Sequence, residues 1–166
     1  MKPEIEIRRM TASDLDPVTA IAGDLPPAPH WTRSAYSIAI NPESTPRRIA
    51  LVAAGRQPGS ILGFAVASLL PPQAELETIA VVAESQRLGV GERLFQALAA
   101  ELKAANVDDV LLEVRASNQP ALVFYQTLGF VKIGLRPGYY ADPIEDAVLM
   151  RLPLIERFSS EPVDPT

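Results

Sequence analysis

The pattern of apolar and polar residues along the chain predicts seven strands and four helices. Strands are indicated where apolar side chains alternate with polar ones or form short runs bounded by Gly or Pro, and helices where apolar residues recur every three or four positions. The expected strands are Glu4–Met10, Arg48–Ala54, Ile61–Leu70, Glu75–Val82, Asp109–Arg115, Phe130–Leu135 and Asp146–Leu152; the expected helices are Thr11 to about Gly23, Trp31–Ile40, Leu88–Ala105 and Gln119–Leu128.

The order of these elements is β-α-α-β-β-β-α-β-α-β-β. Because it combines antiparallel meanders with helical crossovers, it predicts an α+β fold: a mixed, mostly antiparallel sheet of about seven strands, flanked by about four helices. We expect one domain over residues 1–155, followed by a flexible polar tail over 156–166. Gly129 follows the last helix, where a left-handed backbone favours glycine.

Composition excludes several classes of function. The 166-residue chain has no cysteine and a single histidine, His30, so disulfides, a cysteine nucleophile and a metal site are not expected. The formal net charge of −5 argues against nucleic-acid binding. The longest apolar run, Ile61–Leu70, is far below the roughly 20 residues that span a bilayer. These observations predict a cytoplasmic protein that binds neither nucleic acid nor membranes, and we expect a monomer or weak dimer.

A glycine loop joins the strand that ends near Val82 to the longest helix. Its sequence is Gln86-Arg87-Leu88-Gly89-Val90-Gly91. Glycines at a helix start let backbone N–H groups approach an anion, and the helix dipole favours negative charge there. A Walker loop would require a lysine after Gly91, and a dinucleotide fingerprint would require a third glycine where Leu94 stands. Two interpretations of the loop therefore remain open: a phosphate site of another kind, and a simple turn before a core helix.

The pattern Gln-x-x-Gly-x-Gly after a strand resembles the acetyl-CoA pyrophosphate loop of the GNAT acetyltransferase superfamily. Further motifs resemble the RimI family, the bacterial ribosomal-protein alanine N-acetyltransferases. This resemblance covers Glu75 to Leu154, with only residues 29–32 similar in the first third. The motifs that carry it are Leu112-Glu113-Val114-Arg115-Ala116-Ser117-Asn118, Tyr125-Gln126-Thr127-Leu128-Gly129-Phe130, Tyr139-Tyr140 and Glu145-Asp146-Ala147-Val148-Leu149-Met150.

The resemblance implies a catalytic role for two side chains. Glu113 would be the general base that deprotonates the acceptor amine, and Tyr125 the general acid that protonates the CoA thiolate. From the residues alone, the favoured interpretations are that Glu113 lies on a solvated strand face and that Tyr125 is a core aromatic. Glu77, on the preceding strand, is a rival base.

The resemblance also implies how acetyl-CoA is bound. Main-chain groups of Ile79, Ala80 and Val81 would hold the pantetheine arm, and Asn118 would lie beside Tyr125 along the cofactor, unless it simply caps its helix. The backbone of the glycine loop would hold the pyrophosphate, over the residues Arg87, Leu88, Gly89, Val90, Gly91 and Glu92.

The acceptor implied by the family is the N-terminal alanine of a small-subunit ribosomal protein. Attack would be direct, in a ternary complex, because the chain has no cysteine to carry an acyl group. Tyr139 and Tyr140, with Arg136, match a segment that lines the peptide groove, but Pro137 and Gly138 depart from the family pattern. The alternatives are an acetyltransferase for a small amine, such as an antibiotic or polyamine, and a non-catalytic acyl-CoA-binding module. We expect a loop over Pro26–Pro29, and we expect His30 after it to be a structural residue and not a base.

Overall fold

The computed structural model describes residues 4–24 and 31–155. The expected Pro26–Pro29 loop, His30 and the expected tail lie outside these residues. The strands are β1 (Glu6–Arg9), β2 (Arg48–Ala54), β3 (Ile61–Leu70), β4 (Gln73–Val81), β5 (Asp109–Arg115), β6 (Val131–Tyr140) and β7 (Glu145–Pro153). The helices are α1 (Leu15–Asp24), α2 (Arg33–Ala39), α3 (Val90–Ala104) and α4 (Gln119–Thr127), with short 3₁₀ turns at Ala12–Asp14 and Ala83–Ser85.

The strands form one sheet in the order β1-β2-β3-β4-β5-β7-β6. Every neighbouring pair is antiparallel except β4 and β5, which run parallel. The predicted class of fold and the predicted order of elements are therefore confirmed. Gly129 adopts φ 103°, as expected of a left-handed residue after a helix.

Two apolar clusters cover the two faces of the sheet. The first packs α3 and the apolar side of α4 against β2 to β5 and β7, around Leu94, Leu98 and Met150. The second packs α1 and α2 against β2 and β3, around Tyr36 and Phe64. Since α1 and α2 reach only as far as β4, the face of β5 that carries Glu113 has no helix over it among the described residues.

The two halves of the sheet separate between β4 and β5. Pairing between these strands covers only Gln73 to Glu75 on β4 and Asp109 to Leu111 on β5. Beyond Glu75, β4 remains paired to β3 on its other side as far as Val81. The C-terminal part of β4 therefore presents main-chain groups that no strand pairs on the β5 side.

A β-bulge in β4 lies at the start of this opening. Pairing with β3 passes from Ala67 opposite Leu76 to Val66 opposite Thr78, so Glu77 is the extra residue. Bulges of this kind re-aim side chains and increase the local twist. Here the bulge exchanges the faces of the strand: Leu76 and Ile79 both pack on the α3 side although they are three residues apart.

Several predicted boundaries are wrong, most clearly for β6. The expected strand ended at Leu135, whereas β6 continues to Tyr140. Pro137 and Gly138 lie within it, at an irregularity where pairing with β7 passes from Arg136 to Tyr140. Proline is tolerated there because β6 is an edge strand and the ladder is interrupted.

The other differences in boundary are smaller. Strand β1 is shorter than expected, and the first helix begins with a 3₁₀ turn after Thr11. Helix α3 starts at Val90 rather than Leu88, because Gly89 before it is left-handed. Helix α2 is also shorter, and β4 begins at Gln73 rather than Glu75.

Candidate acetyl-transfer site

The glycine loop forms a tight turn ahead of α3. Arg87 and Gly89 both have positive φ, 66° and 83°, and Gly89 is the N-cap of the helix. The first helical bond runs from the Arg93 N–H to the Gly89 carbonyl, at 3.0 Å. The N–H groups of Val90, Gly91 and Glu92 therefore have no acceptor within the helix, and they lie at its positive end. This geometry suits an anion, and pyrophosphate as that anion stays a prediction.

Gly91 is required by a close approach between α3 and α4. A Cβ built on it would lie 3.1 Å from Cζ of Phe124, tighter than ordinary van der Waals contact. Gly89, by contrast, has open space around its missing side chain and is glycine because of its φ. Glycine is thus favoured at these two positions of the motif for different physical reasons.

The loop is tied back to β4 by Gln86. Its side-chain amide donates to the Val81 carbonyl at 3.1 Å. The Val82 N–H donates to Leu62 on β3 at 2.8 Å. The segment from Ile79 to Val81 therefore ends at a fixed position beside the glycine loop, with its β5-facing edge available to a ligand.

Glu113 lies on the open face of β5, as the strand alternation predicted. Its side chain is 20% exposed and forms an ion pair with Arg136, with 3.5 Å between Nη1 and Oε1. The Glu113 carboxylate also interacts with the hydroxyl of Tyr139 and raises the pKa of Tyr139. Glu113 is thus a half-buried carboxylate approached from β6 by one cation and one phenol.

Two other carboxylates lie near Glu113. Glu77, the predicted rival base, is held by Arg48 at 3.0 Å, and both side chains are largely buried. Glu75 was not selected from the sequence. Burial, together with repulsion from Glu77 and Glu113, raises its pKa. The sequence signal for Glu75 was its spacing of two from Glu77, which places both side chains on one face of the strand.

Tyr125 projects from α4 into the first apolar cluster. Its ring packs against Phe124 and Phe130, with centroids 5.6 and 5.7 Å away. Burial raises the pKa of Tyr125 to about 12, and nearby Tyr140 contributes in the same direction. The phenol therefore stays protonated at physiological pH, as a proton donor must. Its core packing and its predicted catalytic role are compatible.

Asn118 is the N-cap of α4. Its side-chain oxygen accepts from the Ala121 N–H at 3.3 Å, which satisfies one of the free amides of the first turn. The capping alternative is therefore observed, and contact between Asn118 and the cofactor stays a prediction.

Tyr140 connects the two predicted catalytic residues. Burial and the charge of Glu113 raise its pKa, and it acts in turn on Tyr125. Arg115 holds Tyr140 in place, with its guanidinium carbon 4.4 Å from the ring centroid. Arg115 also forms an ion pair with Glu145 at 3.4 Å, and Glu145 accepts from the Ser117 N–H. This clamp was missed by sequence reasoning, because Arg115 and Glu145 are far apart in the chain.

Three features of the site point to one class of protein: an anion loop at a helix start, a separated pair of parallel strands, and a carboxylate opposite a phenol. Together they indicate an acyltransferase that uses a phosphorylated donor. Residues 16–130 match the Acetyltransferase (GNAT) family. The chain therefore belongs to the GNAT family and is an acetyl-CoA-dependent N-acetyltransferase, which confirms the predicted family and enzyme class.

Relatives within the family carry names that describe acetylation of protein N-termini. The chain is 40% identical over 100 residues to the [ribosomal protein bS18]-alanine N-acetyltransferase of Escherichia coli K12, covering 59% of this chain and 68% of that protein. It is 42% identical over 96 residues to an N-alpha-acetyltransferase of Sulfurisphaera tokodaii, covering 55% and 57%. The crystal structure of the E. coli ribosomal-protein-S18-alanine N-acetyltransferase matches with TM-score 0.78 and 29% identity, over 95% of this chain and 98% of that one.

The described part of the chain contains neither a bilayer-crossing helix nor a cluster of metal ligands. Within residues 4–24 and 31–155, none of the helices has the length and apolar character needed to cross a bilayer. In the same part of the chain, no group of three or more His, Cys, Asp or Glu side chains is arranged to hold a metal ion.

Proposed function

We propose that this protein transfers acetyl from acetyl-CoA to the N-terminal α-amine of a protein, with the N-terminal alanine of a small-subunit ribosomal protein as its acceptor. The observation that carries the proposal is the half-buried Glu113 at the opening between β4 and β5, facing Tyr139 and close to the Tyr140 that adjoins Tyr125. The bS18-alanine N-acetyltransferase of E. coli, 40% identical, supports the choice of acceptor.

Acetyl-CoA would span the opening in the sheet. Its pyrophosphate is suited to the N–H groups of Val90, Gly91 and Glu92, and Arg87 adds positive charge. Its pantetheine amides are suited to the main chain of Ile79–Val81, since buried backbone groups without a strand partner need another one. The acetyl group would then lie between Glu113 and Tyr125, where binding energy from the long CoA arm holds the thioester for attack.

Transfer would occur in one displacement on the thioester carbonyl. An α-amine has a pKa of about 7.7–8.0, so most of it is protonated at neutral pH and must lose a proton first. Glu113 accepts that proton, directly or through water. The amine nitrogen then bonds to the carbonyl carbon, the C–S bond breaks, and Tyr125 gives its proton to the departing thiolate. The chain contains no cysteine that could carry the acetyl group.

The charge of the chain supports a ribosomal acceptor. Its formal net charge is −5, so a basic ribosomal protein would be attracted to it at long range. A ribosomal acceptor also requires a cytoplasmic enzyme, and we expect that location and a monomer or weak dimer.

A direct test compares acetylation of an Ala-starting peptide with a panel of small amines. We expect the peptide to be preferred, and Glu113→Gln and Tyr125→Phe each to lower kcat by about 10²–10⁴. The matched control for Glu113→Gln is Glu43→Gln, at an exposed loop carboxylate. The matched control for Tyr125→Phe is Tyr36→Phe, in the second apolar cluster, on the face of the sheet opposite Tyr125. Transfer to small amines alone would replace the acceptor class, and CoA binding without any turnover would indicate a binding module.

A further inference from the structure

Arg136 lies on the solvent side of Glu113. Its guanidinium lies 3.5 Å from the Glu113 carboxylate, at Nη1 to Oε1. The side chain of Arg136 is 56% exposed whereas that of Glu113 is 20% exposed, so the cation covers the carboxylate from the solvent side. Two other basic side chains on this face, Arg48 and Arg115, are already engaged in ion pairs with other carboxylates.

An acceptor ammonium makes the same kind of interaction as this guanidinium. Both are cations whose N–H groups donate to a carboxylate, and one carboxylate edge accepts them in competition. We propose that Arg136 is a specificity-determining residue of the acceptor site, which holds the place of the ammonium at Glu113 and is displaced when the acceptor binds. The inference rests on the proposed function, because it needs Glu113 to receive the amine.

The Arg136 guanidinium makes a second contact in addition to its ion pair with Glu113. Its carbon lies 5.5 Å from the ring centroid of Tyr139, within the range of a cation–π contact. Arg136 can therefore leave Glu113 while it keeps its contact with the ring. Binding of an acceptor therefore has to offset only the free energy of the ion pair, and not that of releasing the whole side chain.

The backbone of β6 supports this exchange. Pairing with β7 is interrupted between Arg136 and Tyr140, and Gly138 has φ 63°. The Gly138 N–H is fixed by the Asp146 carboxylate at 2.9 Å. The irregular segment that sets Pro137 and Gly138 apart from the family pattern thus presents Arg136 and Tyr139 together to Glu113.

The test is acceptor binding by Arg136→Gln. We measure the Kd for an Ala-starting peptide by calorimetry on enzyme loaded with CoA, and we expect it to fall by about two- to fivefold. This change in Kd corresponds to the free energy of an exposed ion pair. The peptide KM should fall in parallel, while kcat and the KM for acetyl-CoA stay within twofold of wild type. A merely structural role for Arg136 would instead change kcat and the donor KM together.

Two further variants separate charge from position. Arg136→Lys keeps the cation and should bind peptide as wild type does. Lys132→Gln removes the same charge from an exposed position on the same strand and should leave Kd unchanged. An unchanged or higher Kd for Arg136→Gln would overturn the inference, because Arg136 would then be a bystander or an acceptor ligand.

The wild-type enzyme distinguishes this failure from failure of the proposed function. If wild type acetylates the peptide, the proposed function stands and the variants judge Arg136 alone. If wild type acetylates only a small amine, the peptide acceptor is wrong, and the same comparison made with that amine still judges Arg136.

Discussion

Replacing Tyr36 by Phe should stabilise the protein. Tyr36 is fully buried in α2, where its ring packs edge-on against Phe64 with centroids 5.4 Å apart. Within the described part of the chain, its hydroxyl has no hydrogen-bond partner. A buried polar group left without a partner costs about 1–3 kcal/mol. Phe keeps the ring contacts and removes that cost, so we expect the free energy of unfolding to rise by about 1–2 kcal/mol.

The gain should increase at alkaline pH. Burial raises the pKa of Tyr36 from 10.0 to about 12, so the unfolded chain releases this proton at a lower pH than the folded chain does. The stability linked to the protonated phenol is complete below pH 10 and is lost as pH rises from 10 to 12. At 1.36 kcal/mol per pH unit, the loss is about 1.4 kcal/mol at pH 11 and approaches about 2.7 kcal/mol. The Phe variant has no proton to lose at this position.

Urea unfolding followed by circular dichroism at pH 7.5 and pH 11 would measure both effects. The difference between variant and wild type should be positive at pH 7.5 and larger by about 1.4 kcal/mol at pH 11. Acetyl transfer should be unchanged, because Tyr36 lies in the second apolar cluster, whose helices reach only as far as β4 and do not cover Glu113. A less stable variant, or a difference that does not vary with pH, would refute the reasoning.

Three other substitutions test the scaffold of the site. Gly91→Ala should push against Phe124 and raise the KM for acetyl-CoA, with an unchanged Kd for CoA as the contradicting result. Asn118→Ala removes the α4 cap and should cost about 1 kcal/mol in urea unfolding, whereas no loss would mean that water replaces the cap. Gly63→Ala places a Cβ 2.7 Å from the Ala80 carbonyl oxygen and should destabilise by about 1–3 kcal/mol, and equal stability would show that the strands can separate there.

Much of the fold follows from local patterns in the sequence. The alternation of Leu111, Glu113 and Arg115 on one side, and Val110, Leu112 and Val114 on the other, predicted which face of β5 is buried, and the structure confirms it. The left-handed conformation of Gly129 after α4 was predicted, because the backbone just past a helix end favours glycine. These features depend on one element and its own backbone.

The features that were missed depend on pairing between distant segments. The bulge at Glu77 is defined only by its register with β3, so the return of Ile79 to the α3 side could not be read from alternation. The extension of β6 through Pro137 is allowed only because that strand lies at the sheet edge. The clamp of Arg115 on Tyr140 and Glu145 joins residues about 30 positions apart, which no local motif encodes.

The short pairing between β4 and β5 has a thermodynamic consequence. Only three paired positions join the two halves of the sheet, so a donor bound along Ile79–Val81 and reaching Glu113 would act as a cross-link between them. Binding to the folded state alone raises stability by RT ln(1 + [L]/Kd), about 2.7 kcal/mol at a hundredfold excess over Kd. Much of this gain in stability should appear as slower hydrogen exchange in the amides that flank the opening. The two halves of the sheet would then unfold together as one cooperative unit when the donor is bound.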